Sequence, residues 1–98
     1  MNTNNPFDMI QQWYHKHCDG DWEHQYGIVI KTLDNPGWSL TIDLEETDLE
    51  DKRFDEVVIE RDENDWVFCK VESKQFKGAC GPNNLSEILI LFCNWATA

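Results

Sequence analysis

Nowhere does this 98-residue chain approach a membrane span: its longest apolar run, Ile88 to Cys93, is far short of the roughly 20 residues a bilayer requires. Basic residues are scarce, with 8 Lys and Arg against 19 Asp and Glu for a formal net charge of -11. That balance excludes the basic, aromatic-studded surface of a nucleic-acid binder and disfavours an anionic membrane, so neither is expected as a partner. Glycines number five and form no phosphate-cradling loop. No nucleophile-elbow pattern surrounds Ser39, Ser73 or Ser86. Cys18, Cys69, Cys80 and Cys93 contain no CxxC pair, which rules out a zinc ribbon or a thioredoxin-type site. The opening Met1-Asn-Thr-Asn-Asn-Pro shows no basic segment followed by an apolar one. No export signal is therefore expected, and the four thiols are read as buried or half-buried in a reducing cytoplasm rather than as a disulfide framework.

What the chain has in quantity is tryptophan and acid. Its length predicts one domain, residues 1–98, with one modest core, and its five tryptophans offset the poor surface-to-volume ratio of a small fold. The acids are unevenly placed. From Asp43 to Asp65 there are twelve acids and three bases (Lys52, Arg53, Arg61), a net of -9 that leaves -2 for the rest. Such a segment attracts a basic partner, or else forms a solvated face that keeps the protein soluble.

Periodicity orders the elements as helix, sheet, helix. Pro6 suits the first helical position, with Asn5 as N-cap and Asp8 placed to favour the dipole. Phe7, Ile10, Tyr14 and His17 or Cys18 form the apolar stripe, and Gly20 supplies a left-handed residue to end the helix. Tyr26 to Leu33 and Trp38 to Leu44 read as strands joined by Asp34-Asn-Pro-Gly37, a type II turn with Gly37 at positive φ. Trp38, Leu40, Ile42 and Leu44 share one face of their strand. A second hairpin is expected from Phe54 to Arg61 and Trp66 to Glu72, turning through Asp62 to Asp65, with a fifth strand near Gln75 to Ala79. In its second strand Val67, Cys69 and Val71 oppose Trp66, Phe68 and Lys70, so one set is less buried. The last helix follows Gly81-Pro82-Asn83-Asn84, with Asn84 and Glu87 in capping-box spacing and Leu85, Ile88, Leu89, Phe92 and Trp95 or Ala96 facing inward. Ile90 and Leu91 widen that stripe enough for the helix to be sandwiched or to meet a second protomer, making a homodimer one alternative. The expected architecture is α+β: an antiparallel sheet of about four to six strands with the two terminal helices on one face.

A metal-dependent enzyme is the other alternative, since His15, His17, Cys18, Asp19, Asp21, Glu23 and His24 include every common zinc ligand. The spacing fits neither an HExxH helix nor a calcium loop. A structural reading explains more of this segment: Asp19 or Asp21 accepting backbone N–H bonds, Trp22 covering the core edge, and His24 paired with a carboxylate. No cofactor or catalytic residue is expected. The remaining signal is acid interleaved with aromatic, in Glu56, Glu60, Asp62, Glu63, Asp65, Trp66 and Phe68. Charge of that sign steers a cationic protein, and an aromatic among the acids slows its release. Trp66 packed beneath the last helix is the competing reading.

The ordered succession of Asp19, Gly20, Asp21, Trp22, Glu23 and His24, then Thr32-Leu-Asp-Asn-Pro-Gly-Trp38, Glu63-Asn64-Asp65-Trp66, Phe68-Cys69, Gly81-Pro82 and Asn94-Trp95 resembles the immunity protein 53 family. The resemblance spans nearly the whole chain. It implies a bacterial protein that neutralises a toxin made by the same cell, with that toxin domain as its partner; the acidic 43–65 segment makes a basic toxin domain the expectation. It does not single out the contacting residues.

Overall fold

The computed structural model describes residues 5–98. Helix α1 (Pro6–His17) starts where its sequence signals place it, with Asn5 Oδ1 accepting the N–H groups of Phe7 at 2.8 Å and Asp8 at 3.3 Å. A one-turn helix α2 (Trp22–Gln25) follows, then strands β1 (Ile28–Leu33), β2 (Gly37–Asp43), β3 (Val57–Asp62), β4 (Asp65–Glu72) and β5 (Gln75–Cys80), and finally helix α3 (Leu85–Thr97). The strands form one antiparallel sheet in the order β1-β2-β5-β4-β3. The α+β architecture with a helix at each end is as the periodicity requires.

One face of the sheet carries the core. Leu40 and Ile42 of β2, Phe76 and Cys80 of β5, and Val67 and Cys69 of β4 are buried beneath Ile88, Leu89 and Phe92 of α3. Gly78 lies under Ile88, where a Cβ would meet the Ile88 side chain at 2.4 Å, so the helix can approach β5 closely. Helix α1 packs against α3 through Trp13, whose ring meets Phe92 edge-on at 5.1 Å. Residues 44–56 cross the end of the sheet from β2 to the far edge, anchored by buried Leu44 and Leu49. Phe54 packs edge-on to Phe76 and Trp95. Lys52 donates to the carbonyls of Trp95 and Ala98, placing a positive charge at the C-terminal end of α3.

Several local expectations are corrected. The inward side of α1 is Ile10, Trp13 and His17, whereas Phe7 and Tyr14 are exposed, because the indole is the larger payload and finds Phe92 and Trp22. Gly20 does hold a positive φ of 91°, but α1 has already ended at His17 with Cys18 extended. Tyr26 is not the start of a strand, since α2 intervenes and β1 begins at Ile28. Gly37 has no positive φ and opens β2 instead of occupying a type II turn. Its role is close approach: a Cβ there would lie 2.3 Å from the Cys80 carbonyl oxygen. β3 begins at Val57, three residues later than expected, because Phe54 leaves the strand direction to enter the core. Asn84 does precede α3 but makes no side-chain cap bond; its Nδ2 donates to Asp65 and Glu87.

Candidate functional site

Alternation along β3 and β4 divides the hairpin between two faces. Val57 pairs with Cys69 and Ile59 with Val67 on the core side, so Glu56, Val58 and Glu60 fall on the opposite side, as do Trp66, Phe68 and Lys70. No helix covers that side among the described residues. Trp66 therefore does not pack beneath α3. Its ring instead lies 5.1 Å from Phe68, and its Cα partner across the ladder is Glu60. Phe68 is 38 % exposed and its cross-strand partner Val58 is 64 % exposed. An open depression of about 520 Å³ lies beside them, lined by Glu56, Val58, Phe68, Lys70, Lys77 and Ala79 among others.

The candidate acids are not equivalent. Glu56, Glu60, Asp62 and Glu63 are exposed along the β3 edge and the turn, and Asp62 Oδ1 also accepts the Asn64 N–H at 2.8 Å. Asp65 is engaged in the fold: it accepts from Arg61 at 2.7 Å and from Asn84 at 2.9 Å, and those two bonds, Asn84 first, hold its carboxyl below the usual carboxylate range. The acid-rich segment itself separates in space. Asp43, Glu45, Glu46 and Glu50 gather around Tyr26, whose phenol is pushed up first by burial and then by those carboxylates. Asp48 pairs with Lys16 and His17, and Glu50 with Lys74. Lys70 and Lys77 stand on the open face of β4 and β5, so the exposed acids of this hairpin lie along the β3 edge and the 62–63 turn. Val58 is the member of this surface that sequence reasoning overlooked. The available signal was its alternation with Glu56 and Glu60.

The loop after α1 is held by its own carboxylates. Asp19 Oδ1 accepts the N–H groups of Asp21 at 3.0 Å and Trp22 at 2.9 Å, while the Glu23 carboxylate accepts those of Asp19 at 2.9 Å and Gly20 at 2.8 Å. Both carboxyls are lowered, Asp19 chiefly by the Trp22 N–H and Glu23 chiefly by its own N–H. Trp22 is buried and donates its indole N–H to the Glu45 carbonyl at 2.9 Å. Asp21 accepts from Gln25 at 3.3 Å. His24 is exposed; the histidine paired with a carboxylate is His17, whose Nε2 lies 3.2 Å from Asp48 and whose Nδ1 lies 2.9 Å from the Trp13 carbonyl. The fold thus disperses the side chains that could have made a metal centre, and among the described residues no group of three or more His, Cys, Asp or Glu is placed to hold an ion.

The thiols are separate as well. Cys69, Cys80 and Cys93 are buried, and burial pushes each up to about 11. Cys18 is half-buried with its thiol toward the Tyr14 carbonyl. Among the described residues no helix is long and apolar enough to cross a membrane.

Comparison with known proteins finds no match among curated proteins and none among solved structures. A family model does match, that of Immunity protein 53, over residues 7–97. This match takes in the carboxylate-held loop, both hairpins and the terminal helices. The chain belongs to the Immunity protein 53 family.

Proposed function

We propose that this protein binds a cognate bacterial toxin stoichiometrically and neutralises it without catalysis, using the open face of the β3–β4 hairpin. The observation that supports this reading is the position of Trp66, Phe68 and Val58. These apolar side chains lie on the uncovered face of the sheet, beside the exposed carboxylates Glu56, Glu60, Asp62 and Glu63. Exposed aromatics cost the free protein solubility, and a partner that buries them supplies the compensation. The flanking acids add long-range attraction for a cationic surface, such as the active-site cleft of an enzyme that acts on nucleic acid. In this reading carboxylates occupy the place of phosphates, while the aromatic pair sets the dissociation rate.

The test uses the cognate toxin domain. Glu56→Lys, Glu60→Lys and Glu63→Lys combined leave the Arg61–Asp65 pairing intact and should slow association and flatten its dependence on salt. Phe68→Ala should speed dissociation by at least tenfold, equivalent to about 1.4 kcal/mol. Unchanged rates in both variants would place the toxin on another surface.

A further inference from the structure

The two edges of the sheet are built differently. β3 is broken by an irregularity between Glu60 and Asp62 and carries charge, both of which deter pairing with another strand. β1 has neither a proline nor an irregular register, and its only charged residue is Lys31. Exposed apolar side chains stand on both of its faces, Val29 on the open side at 57 % and Ile30 on the core side at 40 %, and Tyr14 of α1, 39 % exposed, shares a groove with Ile30. Between α1 and β1 runs an apolar groove of about 370 Å³ lined by Ile10, Gln11, Tyr14, Gly27, Ile28 and Ile30.

We infer that this edge pairs with the same edge of a second copy of the chain, antiparallel about a two-fold axis through Ile30. Backbone direction selects that register. The Gly27 carbonyl accepts the Asp43 N–H, and the Gly27 N–H donates to the Asp43 side chain, so Gly27 points toward β2. By the alternation of an antiparallel strand, Val29, Lys31 and Leu33 point the same way, leaving the N–H and C=O groups of Ile28, Ile30 and Thr32 on the free edge. With the axis at Ile30, Ile28 meets Thr32 of the second copy, Ile30 meets its own counterpart, and each outward backbone group has a partner. Lys31 then lies opposite Val29 rather than a second lysine. The groups on the edge are complementary to themselves, as an isologous interface requires.

The acids of the β3 edge favour the same pairing, while Asp43, Glu45, Glu46 and Glu50, near Tyr26 just before β1, oppose it. Pairing through β1 places the two β3 edges at opposite ends of a ten-stranded sheet, roughly 40 Å apart at the usual strand spacing. That separation is several Debye lengths at physiological salt. Pairing through β3 would bring the acids face to face. Both open hairpin faces remain available in the β1-paired dimer, so this inference does not depend on the toxin-binding proposal.

Light scattering from micromolar to millimolar protein should show the mass rising toward twice that of the monomer. Ile30→Lys sets like charges against each other on the axis and should remain monomeric, whereas Ile90→Lys, at an equally exposed position on α3, should dimerise like the parent. Amide hydrogen exchange in the unaltered protein provides an independent measure should Ile30→Lys not fold. Exchange at Ile28, Ile30 and Thr32 should slow as concentration rises. A mass that stays monomeric, a dimer that survives Ile30→Lys, or protection of those amides only when toxin domain is added would each overturn the inference.

Discussion

Arg61 and Glu87 lie 26 positions apart in sequence and meet in a two-pronged ion pair, Nη2 to Oε2 at 2.7 Å and Nη1 to Oε1 at 3.1 Å. The same guanidinium holds Asp65, and Asn84 donates to both carboxylates. Edge strand β3 is thereby tied to the first turn of α3. Glu87 is held below its usual range by Arg61 first and Asn84 second, and Asp65 by the same two groups in the reverse order. Carboxyls depressed in the folded state contribute stability that is present above their unfolded values, near 4, and is lost as pH falls through the lowered folded values. Chemical unfolding midpoints measured against pH should therefore fall below about pH 4. Glu87→Gln should make that fall shallower; an unchanged slope would mean the pair contributes nothing to acid sensitivity. Arg61→Ala should lower the midpoint at neutral pH, and the deficit should narrow in high salt.

Two glycines in similar sequence surroundings should respond oppositely to the same change. Gly37→Ala forces a methyl group against the Cys80 carbonyl oxygen at 2.3 Å, and that atom is backbone held in the sheet rather than the end of a flexible side chain. Urea denaturation should show a loss of about 2–3 kcal/mol. Gly27→Ala meets nothing within 4 Å and has no positive φ, so it should be neutral or stabilising by up to about 1 kcal/mol. Equal losses at both positions would contradict the packing between β2 and β5.

The β4–β5 hairpin turns through Ser73 and Lys74 with φ of 55° and 58°, a left-handed pair that asparagine and glycine adopt at lower cost. Ser73→Asn should stabilise the protein by about 0.5 kcal/mol, read as a raised urea midpoint at constant m-value. Lys74→Gly should gain less, because it also removes the 2.6 Å bond to Glu50. A loss of stability in Ser73→Asn would show that the serine is held there by something other than backbone geometry.

Thiol labelling should resolve the cysteines into two groups. Under native conditions a maleimide should react promptly with Cys18, while Cys69, Cys80 and Cys93 wait for unfolding, since they are buried and hold their protons up to about 11. Mass spectrometry of the labelled protein should find one adduct before denaturant and four after it. Rapid labelling of Cys93 would mean that α3 opens locally.

Legibility followed the range of the forces involved. The start of α1 at Pro6 was readable because Asn5, Pro6 and Asp8 act on neighbouring N–H groups. The inward set Trp38, Leu40 and Ile42 was readable because strand alternation requires only that one face be covered. The side of α1 that turns inward was not, since Phe7, Ile10, Trp13 and Tyr14 allow two overlapping stripes and Phe92, from the far end of the chain, selects Trp13. In the candidate site, Glu60, Trp66 and Phe68 were legible as acids and aromatics in alternation, whereas the commitment of Asp65 to Arg61 and Asn84 was not. Within a sequence, a carboxylate held by the fold looks the same as a free one.

By itself, then, the sequence determined the order helix, sheet, helix, the concentration of acid between residues 43 and 65, and the inward face of the strand that holds Trp38, Leu40 and Ile42, while its ordered motifs carried the resemblance to the family. The first three follow from residue type and short spacing. Tertiary structure alone decided that Gly37 is needed beneath a carbonyl of β5, that the acid-rich segment divides between Tyr26 and the β3 edge, and that Tyr14 of α1 and Ile30 of β1 line one groove. Those outcomes depend on which distant segments meet. Burial and electrostatic pairing act through space, and no period along the chain encodes which neighbour arrives.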